Sequence, residues 1–99
     1  MSTISLNTIK TIASDFSYEA ENCISEMNKT HHYSECFYAD ELLARIYRAF
    51  KVHDKVMNIP FQDFGIHSRE AEPYRNAIHL NLLSLNDCYI KWFLSREIK

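Results

Sequence analysis

The chain has 99 residues, of which 46% are hydrophobic and 24% charged, with one Gly and two Pro. That length holds one domain around one core, and the apolar share excludes a disordered or low-complexity chain. The shortage of turn-forming residues excludes an all-β sandwich, and a lone glycine excludes the Gly-rich phosphate loops of Rossmann and P-loop sites.

A first helix is expected over residues 5–28, opened by a Ser or Thr among residues 2–5. On a wheel of 100° per residue, Ile9, Ile12, Ala13, Phe16, Ala20, Cys23 and Met27 share one face. Asp15, Glu19, Asn22 and Glu26 form a stripe beside it.

A second helix is expected over 34–57, with Ser34 as its N-cap. Ala39, Leu42, Leu43, Ile46, Phe50, His53 and Met57 make its apolar face, and Arg45, Arg48, Lys51 and Lys55 a basic stripe. Acidic residues come early in this helix and basic ones late, which suits the helix dipole.

A short helix is expected over 60–64, with Pro60 in its first turn and Gly65 as a left-handed stop. Phe61, Phe64 and Ile66 make this connection apolar, so it is expected to cover one end of the domain.

The last helix is expected over 69–98, with Pro73 in its first turn. Tyr74, Ile78, Leu82, Leu85, Tyr89 and Trp92 share one face. Leu80, Leu83, Ile90, Leu94 and Ile98 form a second apolar set on the opposite side.

These elements predict an all-α fold, an antiparallel three-helix bundle with a short extra helix in the second connection. The up-down-up course sets the acidic stripe of the first helix beside the basic stripe of the second. Ion pairs are expected between Asp15 or Glu19 and Arg45 or Arg48, each contributing about 0–1 kcal/mol.

Eleven basic and thirteen acidic residues give a net charge of −2, which disfavours generic nucleic-acid binding. No apolar run is long enough to span a bilayer, and the first residues lack the pattern of a signal peptide. A cytoplasmic location is therefore expected, with Cys23, Cys36 and Cys88 as reduced thiols.

Candidate chemistry is sparse. His31, His32 and Cys36 cluster donor atoms, but a zinc site needs more ligands than one turn supplies. No metal or other cofactor is expected. His53 reads as a core histidine with a hydrogen-bond partner rather than a general base. Arg75-Asn76-Ala77-Ile78-His79 resembles the Arg-Asn…His signature of the helical HEPN nucleases, with a shorter intervening stretch. That departure removes the basis for carrying over a catalytic role.

The second apolar set of the last helix is the most informative feature. Its two explanations are burial within the chain and contact with a second copy or another protein. Burying such side chains contributes about 1.5–3 kcal/mol each. Leu80, Leu83, Ile90, Leu94, Ile98 and Phe61 are the candidate partner-binding residues. Tyr33, Phe37 and Phe61 lie near helix ends and become anchors if exposed.

The expected function is stoichiometric protein–protein binding by a small intracellular regulator or inhibitor, without enzymatic activity. Proteins of this size and class are often accessory factors of phages and other mobile elements. The alternatives are a nucleic-acid-associated regulator, with phosphate contacts from Arg45, Arg48, Lys51 and Lys55, and a small helical nuclease or hydrolase.

Overall fold

The computed structural model describes residues 5–60, 63, 65 and 68–94. Three helices, α1 (Leu6–Thr30), α2 (Ala39–Met57) and α3 (Ser68–Tyr89), pack against one another, and no strand occurs among the described residues. The fold is an all-α three-helix bundle. It is elongated, with extents of 55 × 22 × 19 Å.

Each helix buries a row of side chains at the same spacing. On α1 the buried residues are Ile9, Ala13, Phe16, Ala20, Cys23 and Met27. On α2 they are Ala39, Leu42, Ile46, Ala49, His53 and Val56. Steps of three and four alternate along both rows, which is the seam of a coiled coil. On α3 the core row is Ala71, Ile78, Leu85 and Trp92, each seven residues from the next. The alanines leave room for the helices to approach closely, and α3 packs most extensively along α1. On α2, Ala49 and Val56 are buried, whereas Leu43, Phe50 and Met57 are half-buried at its edge.

Ser5 caps α1 as expected: its Oγ accepts from the Thr8 backbone N–H at 3.1 Å. The helix ends at His31, which has φ 65° and ψ −39°. The His32 N–H donates back to the Thr30 carbonyl across it. This is a γ-turn with positive φ, rare and strained for a residue with a Cβ.

The second helix begins at Ala39 rather than near Ser34. Ser34 instead lies in a separate 3-10 turn, Tyr33–Glu35. That turn is capped by His32, whose Nδ1 accepts from the Ser34 N–H at 3.1 Å. Cys36 then adopts extended backbone, φ −108° and ψ 111°, and is buried in the core. Extended backbone there interrupts the intrahelical hydrogen bonds, so helix cannot run from 34 to 39. Tyr38 opens α2 without a side-chain cap.

Most of the short helix expected over 60–64, with Phe61, Phe64 and Ile66, lies outside the described residues. Within it, the Asp63 N–H donates to the Pro60 carbonyl at 3.0 Å. Gly65 has the positive φ expected of it, 62°.

The last helix starts at Ser68, which puts Pro73 inside it rather than in its first turn. Proline has no N–H, so the Arg69 carbonyl loses its donor four residues on. α-Helical bonding ends at Tyr89, and the chain continues as a π-helical turn, Ile90–Leu94. A wider turn narrows the angle between consecutive side chains. Trp92 and Phe93 can then both meet Tyr33, at centroid distances of 5.6 and 4.8 Å. The remainder of the expected helix, with Ile98, lies outside the described residues.

Candidate functional site

The second apolar set of α3 faces solvent. Leu80 is 63% exposed, Leu83 49%, Ile90 43% and Leu94 59%. The reason is geometric: α3 buries a narrow row against α1 and α2, and among the described residues no further helix packs on its opposite side. Exposed Asp87 and Lys91 lie in the same stretch and are ion-paired at 3.5 Å. Phe61 and Ile98, expected to belong to this surface, lie outside the described residues.

An aromatic border runs along the α2 side of this surface. Tyr47 and Tyr89 are hydrogen-bonded through their hydroxyls at 3.2 Å, and Tyr89 stacks on Phe93 at 5.5 Å. Burial, aided by the Tyr47 hydroxyl, raises the Tyr89 phenol to about 12. Of the expected anchors among the described residues, Tyr33 is half-buried against Trp92 and Phe93. Phe37 is 98% exposed and touches Tyr38 edge-on at 5.1 Å.

The basic stripe of α2 is divided. Arg45 forms a two-pronged contact with Glu19 of α1, Nε to Oε2 at 2.8 Å and Nη2 to Oε1 at 3.2 Å. This hydrogen-bonded guanidinium, with Arg48 close by, holds the Glu19 carboxyl below its usual range. Arg48, Lys51 and Lys55 are exposed. A cavity of about 270 Å³ opens between α1 and α2 above Phe16, Ala49 and Val52, rimmed by Asp15, Glu19, Arg45 and Arg48. Two carboxylates offset the two guanidiniums there, which weakens the rim as a phosphate cradle.

Two histidines far apart in sequence meet between α2 and α3. His53 Nε2 lies 3.0 Å from His79 Nδ1, and His53 Nδ1 lies 3.2 Å from Asp54 Oδ1. The ring centroids are 5.2 Å apart and the planes 25° apart. That separation is about the nitrogen–nitrogen distance plus two ring radii, so the rings meet edge to edge. The tautomer satisfying both bonds has His53 donating to Asp54 and His79 donating to His53 Nε2. His79 Nε2 is then left as a free acceptor on an exposed side chain. Arg75, one turn before His79, donates to the Met57 carbonyl at 3.2 Å.

Among the described residues, no group of three or more His, Cys, Asp or Glu side chains could hold a metal ion. His32 is engaged in its cap and Cys36 is in the core. Burial lifts the Cys23 thiol to about 11 and also raises that of Cys88. Among the described residues, no helix is long and apolar enough to cross a membrane.

Comparison with protein-family models, with curated proteins and with solved structures finds no match to this chain.

Proposed function

We propose that this chain acts by stoichiometric protein–protein binding, as a regulator or inhibitor, through the outward side of α3. The observation that carries this reading is the row Leu80, Leu83, Ile90 and Leu94, exposed on one helix face. Such a row costs solubility while uncovered and stabilises a complex when covered. Burial of a leucine or isoleucine contributes about 1.5–3 kcal/mol, less the entropy lost on association.

Affinity capture from cells with the wild-type chain, run beside the Leu83→Glu/Leu94→Glu variant, tests the reading. A bound protein or self-complex that the variant loses, with helical circular dichroism retained, supports it. A monomeric chain that captures nothing overturns it.

The meeting of His53 and His79 favours a second reading, hydrolysis with His79 Nε2 as general base. The α1–α2 cavity does not touch either histidine. Nuclease and esterase activity lost on His79→Ala would support this second reading, and inactive wild-type chain would remove it.

A further inference from the structure

The outward row on α3 has a spacing of its own. Leu80, Leu83, Asp87, Ile90 and Leu94 follow in steps of three, four, three and four. The core rows of α1 and α2 repeat by the same steps. Through Ile90 these are the a/d steps of a coiled-coil seam, and Leu94, also exposed, follows within the π-turn Ile90–Leu94. The surface therefore fits another helix. We infer that its occupant is α3 of a second copy, running antiparallel. This rests on the binding reading above and names its partner.

Asp87 sets the orientation, and with Lys91 it gives this face charge complementarity to a second copy. In a parallel pair each seam residue faces its own equivalent, so two Asp87 carboxylates would meet in the contact. Like charges placed together and stripped of water oppose association. In an antiparallel pair the first seam position faces the second. With a two-fold axis between positions 88 and 89, Leu83 of one copy faces Leu94 of the other. Asp87 then faces Ile90, one position from the other copy's Lys91. Symmetry repeats each contact, as in any isologous interface. Lys91 already lies 3.5 Å from Asp87 within its own chain. In the pair each carboxylate lies between two ammonium groups, and each ammonium between two carboxylates. The seam is thus complementary to itself in apolar side chains and in charge.

Light-scattering mass of the purified full chain, from low to several hundred micromolar, provides the first test. The mass is expected to rise from one chain to two. Asp87→Lys should weaken pairing by about tenfold or more, because it collects four ammonium groups at the axis. Asp87→Lys/Lys91→Asp should restore it. With Cys88→Ser in both chains, mild oxidation of an equimolar mixture of Leu83→Cys and Leu94→Cys chains should link the two variants to each other. This second arm decides even where a charge variant fails to fold.

A mass of one chain at every concentration overturns the proposal. So does linkage of the Leu83→Cys chain to itself through position 83, the signature of a parallel pair. A monomer whose α3 surface still captures another protein, with that capture lost on Leu83→Glu/Leu94→Glu, overturns the second copy alone and leaves the binding reading standing.

Discussion

The indole N–H of Trp92, at the end of the described chain, donates to the hydroxyl of Thr30 at 2.9 Å, where α1 stops. The Thr30 hydroxyl in turn donates to the Glu26 and Met27 carbonyls at 3.4 and 3.3 Å. One hydroxyl thereby serves a buried indole and two carbonyls of the last α1 turn. Trp92 is 2% exposed, so its N–H has little access to water. Thr30→Val preserves shape but orphans that donor. A loss of about 1–3 kcal/mol is expected in urea unfolding, and Thr30→Ser should recover most of it.

The Glu19–Arg45 contact predicts an acid-sensitive component of stability. The folded carboxyl titrates below its ordinary value of 4.5. Folding therefore favours the ionised form. The contribution is complete above the unfolded value and is lost as pH falls through the folded one. Glu19→Gln should flatten the dependence of unfolding free energy on pH below about 4.5. At neutral pH it should cost no more than about 1 kcal/mol, since both side chains reach solvent.

His31 is a place where substitution should stabilise. Its positive φ and negative ψ suit a residue without a Cβ. His31→Gly trades relieved strain against the flexibility of glycine when unfolded, for a net gain of about 1 kcal/mol. Thermal unfolding should then rise by about 4–8 °C. Gly65 has φ 62°, and Gly65→Ala should move the midpoint the other way.

The cysteines should label in a set order. Cys88 is only partly buried, whereas Cys23 and Cys36 lie in the core. The Cys23 thiol is held protonated up to about 11 by burial. Iodoacetamide at mildly alkaline pH should modify Cys88 first. Cys23 should react only as the chain unfolds, which mass spectrometry along a denaturant series will show.

The bundle was legible because the buried rows of α1 and α2 repeat along one face, and repetition is what a helical wheel detects. The Glu19–Arg45 contact was legible too, since antiparallel helices set an acidic stripe beside a basic one. Exposure of Leu80, Leu83, Ile90 and Leu94 was one of two outcomes the pattern allowed. Among the described residues, α3 packs on α1 and α2 and leaves this row exposed. α2 starts later than the cap signal at Ser34 implies, because Cys36, two residues on, has extended backbone and is buried. The π-turn was hidden because five residues are too few to display a changed period. His53 and His79 lie 26 residues apart, and no local pattern joins them.

The 22 × 19 Å cross-section leaves room for little more than a single file of large side chains down the middle. Ala13, Ala20, Ala49 and Ala71 are the rungs between them. Ala49 borders the cavity beside Phe16 and Val52, whereas a valine or leucine at Ala13, Ala20 or Ala71 enters the packed core. There it must push whole rods apart, and because the rods are stiff the gap opens along their length. Tolerance to mutation should therefore be lowest at these three small residues, the reverse of what their modest contact area suggests.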